Sequence, residues 1–459
     1  MRIPLFLVVL IAFSIAGCTA TPDLRPPTDQ PNVIVIFTDD QGTLDTSAYG
    51  SDDLHTPHMD ALAERGVRFS QLYAAAPVCS PSRAGLLTGR YPVRAGLAGN
   101  AGSSMAPGGM PTTEVTIAEM LQAAGYATAH IGKWHLGYTP ETMPNGQGFD
   151  YSFGHMTGCI DNYSHFYYWG GPNRHDLWQN GEKIYRDGSF FPDLMVEEAG
   201  AFMETHRDEP FFIYFAMNGP HYPYQAEADL LAEYADLPYP RNLYAAFVAS
   251  MDARIGALMA KVDALGLREN TLVIFQSDHG HSVEERAHGG GGNAGPYRGA
   301  KFSLFEGGIR VPAIASMPGT LPEGAVRDQM ANGVDWLPTI AAFTGAPLLS
   351  DDLDGRSLAP VLNDAEAASP HAQMHWFWAT NPDDGFWAVR EGPWKLLGNP
   401  WDPTGPGRLA NRRYLVNLDD DPSEATNLIN AHPDVAEHLE GLHRAWFEQA
   451  AADASWRMP

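Results

Sequence analysis

The sequence predicts an α/β fold: a large, mixed but mostly parallel sheet between helices, followed by a smaller C-terminal α+β module with an antiparallel sheet. Three apolar runs, at residues 32–37, 210–216 and 271–276, have the composition of strands covered on both faces. Helical segments separate these runs, and such alternation builds parallel sheets. Beyond residue 364 the pattern changes to short strands and a final helix.

Taken in order, residues 32–37 run out into Thr38-Asp39-Asp40-Gln41-Gly42, a turn with two adjacent carboxylates. Ligand and metal sites in open α/β sheets lie at the carboxyl ends of strands. Residues 59–65 and 116–124 predict helices, the second stopped by Gly125 and followed by a short strand at 127–131. The strand at 210–216 leads into Asn218-Gly219-Pro220-His221. Residues 243–265 carry Ala, Met, Val and Leu at helical spacing. The strand at 271–276 leads into Ser277-Asp278-His279-Gly280. The glycine-rich stretch 285–300 before Lys301 implies backbone held close to another group. Residues 386–397 and 413–418 predict short strands, and 435–450 a helix. The reading divides the chain into a principal domain at 32–364 and an α+β subdomain at 365–459.

A chain of 459 residues suits one large domain and a smaller one. A hydrophobic fraction of 44% against 18% charged residues excludes disorder. The net charge of −26 argues against nucleic acid as a partner. An anionic substrate would need a locally cationic pocket, where a few buried cations outweigh distant, screened carboxylates. The 17 histidines include no H-E-x-x-H and no paired-cysteine spacing of a zinc site.

Met1-Arg2 precedes an apolar run at residues 5–15, too short to span a bilayer as a finished helix. The run ends Ile15-Ala16-Gly17-Cys18, which resembles the lipobox of bacterial lipoproteins. The resemblance implies a signal peptide at 1–18, a lipid anchor on Cys18 and export. Thr19, where an aspartate would favour inner-membrane retention, implies the outer membrane, on its periplasmic or surface side. Membrane contact is expected through the anchor only. Residues 19–31, rich in Pro and Thr, read as a tether. Export permits a disulfide between Cys79 and Cys159, but the pair is expected to stay open because Cys79 has another use.

That use lies in Cys79-Ser80-Pro81-Ser82-Arg83, continued by Ala84-Gly85-Leu86-Leu87-Thr88-Gly89-Arg90. The segment is similar to the signature of the sulfatase family, C-x-P-x-R running on to T-G-R. The likeness covers about residues 31–450 and implies an alkaline-phosphatase-like fold and hydrolysis of sulfate esters. It further implies that a dedicated maturation enzyme oxidises Cys79 to formylglycine while the chain is unfolded. One hydroxyl of the hydrated aldehyde attacks sulfur, and the second then expels sulfate and restores the aldehyde, a self-resetting nucleophile. Arg83 is implied to hold the diol and offset charge.

By the same resemblance, Asp39, Asp40, Asp278 and His279 hold a metal beside residue 79; many relatives carry Asn at the last position. Hard oxygen ligands suit Ca2+, with Mg2+ second. Gly132-Lys133-Trp134-His135-Leu136-Gly137 resembles the family's G-K-W-H-L-G segment, which gives Lys133 a sulfate-binding role and His135 a part in collapse of the sulfated intermediate. His221 matches the histidine on the ester oxygen and Lys301 the second sulfate-binding lysine. Cations on several sides would stabilise the transferring group. The stretch from Leu415 to Leu428 is similar to a C-terminal pattern of the family and reads as structural.

For the substrate, the segment from Gly148 to His165 resembles one in N-acetylgalactosamine-4-sulfatases, with Asn162 where tyrosine is common. This implies a galactose-type unit of a sulfated polysaccharide or its oligosaccharides. His155, His165 and Arg298 are candidates for sugar-hydroxyl contacts, and Tyr163, Tyr167, Tyr168 and Trp169 for stacking on sugar faces. The rival readings are a phosphonate or phosphate monoester hydrolase of the same superfamily and a non-catalytic lipoprotein that binds sulfated glycans. No expected catalytic position is missing, which weighs against the latter.

Overall fold

The apolar runs become the middle of a ten-stranded sheet. The computed structural model describes residues 30–103, 108–169, 172–379 and 385–453. The lipobox with Cys18 and most of the tether lie outside the described residues. In chain order the strands are β1 (Asn32–Asp39), β2 (Val67–Phe69), β3 (Ala127–Lys133), β4 (Tyr151–His155) and β5 (Trp178–Gln179). They continue with β6 (Glu182–Lys183), β7 (Phe211–Pro220), β8 (Thr271–Ser277), β9 (Ala313–Ser316) and β10 (Ala325–Arg327). Their spatial order is β10-β2-β9-β8-β1-β7-β3-β4-β5-β6. Strands β8, β1, β7, β3 and β4 are mutually parallel, whereas β9 and β5 join their neighbours antiparallel. The sheet is therefore mixed, with a parallel centre.

Alternation along the strands sends successive side chains to opposite faces. Val33, Val35, Phe37, Phe212, Tyr214 and Ile274 belong to one core, with Leu86, Ile117 and Trp336. Those last three sit on helices α2 (Cys79–Thr88) and α3 (Ile117–Ala123), which follow α1 (Pro57–Glu64), and on the helix Trp336–Thr344. Ile34, Ile36, Ile213, Phe215, Val273 and Phe275 belong to the opposite core, under Met195, Phe247 and Met251 of helices Phe191–Thr205 and Arg241–Ala264. Burial on both faces is why these strands lack an alternating polar pattern. Helix α3 starts on a capping box, where Thr116 accepts from the Glu119 amide and Glu119 accepts from the Thr116 amide.

The C-terminal part is a four-stranded antiparallel sheet of Gln373–Trp378, Phe386–Glu391, Trp394–Gly398 and Arg413–Asn417. Its first strand, a nearly unbroken aromatic run, was not among the expected elements. Met374, Trp376, Ala388 and Val416 on one face pack against Tyr73, Phe305 and Ile309 of the larger part. Val389, Leu396 and Leu415 on the other face meet Ala436 and Leu439 of the helix Pro433–Asp453. An ion cluster ties the two parts together: the Lys395 ammonium lies 2.8 Å from Glu306 and 3.0 Å from Glu424, all three fully buried.

Candidate active site

Four of the parallel strands end at one place and run further than their apolar cores. β1 continues to Asp39 and β3 to Lys133, so both side chains sit on the last residue of a strand. β7 ends just before His221, and β8 just before Asp278 and His279. Asp40 and His135 follow in the left-handed region, at φ 61° and 56°, turning their side chains out of the strand direction. Gly132 makes the approach possible, since a Cβ there would lie 1.9 Å from the Ala216 carbonyl oxygen.

Cys79 opens α2, whose ten residues are all buried. A helix N-terminus favours negative charge on such a side chain. Its Sγ lies 3.6 Å from Asp39 Oδ1 and 3.3 Å from His279 Nε2. Burial alone would raise the thiol, but Lys133 and Lys301 bring it down to about 6. Arg83, one turn on, places Nη2 3.1 Å from Asp278 and 3.7 Å from Asp39, and Nη1 3.2 Å from the Lys133 carbonyl. Lys133 Nζ donates to Asp39 at 2.6 Å, and Lys301 Nζ to both Asp40 oxygens at 2.8 and 3.0 Å.

Ligand atoms of Asp39, Asp40, Cys79 and His279 all fall within 4.8 Å of one another, and all four residues are buried. The Asp278 carboxylate adjoins them, 3.5 Å from His279 Nε2. Burial pushes Asp40 up to about 8 and Asp278 up to about 7, despite Lys301, His279 and Arg83 nearby. Asp39, held by Lys133, stays well below the usual carboxylate range against its burial. Asp39, Asp40 and Asp278 crowd against Arg83, Lys133 and Lys301, and Glu284 is shared between Lys301 and Arg286. A divalent cation among these converging carboxylates would leave the pocket net positive, as an anionic substrate requires. The residues therefore fit a metal with mainly oxygen ligands.

Above the cluster opens a cavity lined by Cys79, His135, His221 and Lys301 on its floor. Burial and the adjacent lysines hold His135 and His221 well below the ordinary histidine range. His135 Nδ1 and Arg83 Nε are buried without a hydrogen-bond partner among the described residues. A buried thiol, a cluster of possible metal ligands and two imidazoles held well below the ordinary histidine range thus converge on one floor.

The profile of the Sulfatase family matches residues 31–346, more than half of the chain and the whole of this floor. The chain belongs to the sulfatase family. It is 37% identical to human arylsulfatase A over 455 residues, covering 90% of this chain and 87% of the relative. It is 34% identical to pig N-acetylgalactosamine-6-sulfatase over 378 residues, covering 77% and 69%. The crystal structure of Ps i-CgsB in complex with k-i-k-neocarrahexaose superimposes with a TM-score of 0.83 at 29% identity, covering 93% of this chain and 94% of that one. The enzyme is a sulfuric ester hydrolase with the alkaline-phosphatase-like architecture expected.

The structure brings Asp39, Asp40, Cys79, Arg83, Lys133, His135, His221, Asp278, His279 and Lys301 to the floor or directly beneath it. It corrects the three sugar-contact candidates, none of which lines the cavity. His155 is fully buried with its ring 5.6 Å from Phe191. His165 is buried and bonded to the Ser189 carbonyl at 3.1 Å. Arg298 is committed to Asp402, Tyr414 and the Glu424 carbonyl, at 2.7, 3.0 and 3.0 Å. Of the aromatics, Tyr167 and Trp169 line the cavity; Tyr163 packs on Phe190, 5.0 Å away.

Sequence reasoning missed the wall made by Asn100, Ser103, Tyr222, Glu284 and Arg286. Arg286 bonds Glu284 at 2.8 Å and lies 3.4 Å from the centre of the Trp169 ring. The glycine-rich stretch does approach other groups closely: Asn293 N donates to Asp45, and a Cβ on Gly292 would lie 2.2 Å from that of His281. Among the described residues Cys79 and Cys159 are both unpaired.

Proposed function

We propose that this sulfatase removes sulfate from a sulfated carbohydrate, using formylglycine made from Cys79 and a calcium ion beside it. The observation that carries the reading is the position of Cys79 at a buried helix N-terminus, with its Sγ 3.6 Å from Asp39 and 3.3 Å from His279. Formylglycine would supply, through its hydrate, a nucleophile that releases its own product without water attacking sulfur. Asp39, Asp40, Asp278 and His279 would hold the cation, and hard carboxylate oxygens favour calcium over magnesium in a cage with few waters.

The remaining groups take roles that follow from their placement. Arg83 steadies residue 79 from below, fixed by Asp278 and the Lys133 carbonyl. Lys133 and Lys301 flank the cavity floor and offset the charge of the sulfuryl oxygens. Neutral His135 and His221 can each hold or pass a proton at a ring nitrogen, His135 at the nucleophile side and His221 at the leaving oxygen. Trp169, braced by Arg286, offers an aromatic face for a sugar ring at the mouth, and Asn100 and Ser103 offer hydroxyl partners.

A carbohydrate substrate is supported by the neocarrahexaose bound to Ps i-CgsB and by the likeness to an N-acetylgalactosamine-6-sulfatase. A galactose-type unit agrees with both. The test is sulfate release by matured enzyme from sulfated galactose and N-acetylgalactosamine oligosaccharides, beside an aryl sulfate and an aryl phosphonate. Saccharide turnover above aryl sulfate is expected. Aryl sulfate turnover with no sulfate released from any saccharide would overturn the substrate, and faster phosphonate than sulfate hydrolysis would overturn the reaction.

A further inference from the structure

A second cluster of metal-binding side chains lies away from the active-site floor, behind its wall. We propose that His165, His175 and Asp187 form a separate site for a zinc ion. Each offers a ligand atom, and these atoms lie within 4.8 Å of one another. None of the three belongs to the Asp39, Asp40, Cys79 and His279 cluster.

The hydrogen-bonding state of the two rings supports ligation. His165 Nε2 lies 3.1 Å from the Ser189 carbonyl oxygen. A carbonyl only accepts, so Nε2 carries the hydrogen and Nδ1 keeps its lone pair. That Nδ1 is buried and has no hydrogen-bond partner among the described residues, and neither has either ring nitrogen of His175. Buried, unpartnered imidazole nitrogens are unfavourable unless something else satisfies them. His175 Nε2 nevertheless comes within 3.3 Å of Asp187 Oδ1, close but without hydrogen-bond geometry. Two ligand atoms of one tetrahedral zinc, each bonded at about 2.0–2.1 Å, stand about 3.3 Å apart.

The donor chemistry selects the metal. Two imidazoles and one carboxylate suit zinc, whereas calcium prefers an all-oxygen set. The rings are buried and the Asp187 side chain is 63% exposed, so water can complete the fourth position from the solvent side. The site would fasten a short hairpin, Phe166–Tyr167 paired with Arg174–His175. Tyr167 of that hairpin and Trp169 in the connection between its strands line the cavity, so the ion would brace the wall that meets the substrate beyond its sulfate.

The experiment is a zinc titration of the full chain, saturated with calcium, against a chromophoric chelator, with metal content counted by mass spectrometry. One zinc per chain is expected, with a zinc-edge absorption spectrum of nitrogen and oxygen ligands at about 2.0–2.1 Å. Asp187→Asn, on an exposed side chain that leaves the fold intact, and His175→Gln should each weaken zinc at least about 10-fold. Calcium content should remain unchanged in both. Absence of stoichiometric zinc in the wild type, or unchanged zinc affinity in both variants, overturns the proposal.

Discussion

His279 Nε2 faces Cys79 Sγ across 3.3 Å, while its Nδ1 lies 2.9 Å from the Gly280 carbonyl oxygen. The carbonyl fixes a hydrogen on Nδ1 and turns Nε2 toward the carboxylate cluster, where it would bind a cation in place of its proton, as metal-binding histidines are oriented by their outer partner. His279→Ala is therefore expected to weaken calcium at least about 10-fold and lower kcat/KM by about 100-fold. His279→Asn, whose amide oxygen can reach the same cation, should keep most of both. Calorimetric calcium titration with parallel kinetics checks this; normal calcium affinity in His279→Ala would contradict it.

Chelation should abolish turnover, and calcium should restore it better than magnesium. Asp39→Ala should lose the ion, because Asp39 is central to the donor set. Metal analysis alongside activity decides, and full activity in metal-free enzyme would refute the assignment.

The Lys395 ammonium holds Glu306 and Glu424 together in the core between the two sheets. Glu306 is drawn down to about 2 against its burial, mainly by Lys395; burial pushes Glu424 up to about 7. Lys395→Met leaves buried Glu424 without its cation and Glu306 with Arg310 alone, and should cost about 3–5 kcal/mol. Chemical denaturation measures the loss; a change below about 1 kcal/mol would show that the cluster is not holding the parts together.

Acid should loosen the C-terminal part. Burial lowers His375 to about 4 and His443 to about 3, and the rings stack on Trp446 and Trp387. Both values lie below the unfolded value of about 6.5, so the unfolded chain takes up protons first as pH falls. Their contribution is complete above about pH 6.5 and is lost as pH falls toward 4 and then 3, about 2 kcal/mol each by pH 5. The stability difference between pH 7 and pH 5 should shrink by that amount in His375→Phe and in His443→Gln; an unchanged difference would contradict the buried, neutral state.

Anchoring is expected at Cys18. Cys18→Ala should move the protein from the membrane fraction to the soluble one, and wild-type protein recovered entirely as soluble would remove the anchor.

Strands β1, β7 and β8 were legible because they are buried on both faces and read as unbroken apolar runs. The flanking strands Val67–Phe69 and Ala313–Ser316 are three and four residues long, too short for a period to register. The floor was legible because its groups sit in short motifs directly after strands, as Asp39-Asp40 and Asp278-His279 do. The wall was not, since Trp169 and Arg286 meet only through folding. His155 and Arg298 looked free in the sequence, but tertiary partners claim them. His165, His175 and Asp187 share no local motif either; a hairpin brings the two rings together.

Formylglycine at position 79 is read out by peptide mass spectrometry of that residue in fully active enzyme. The aldehyde or its hydrate is expected at that position, with activity rising in proportion to its occupancy across preparations. Fully active enzyme carrying only an unmodified thiol at Cys79 would contradict the account.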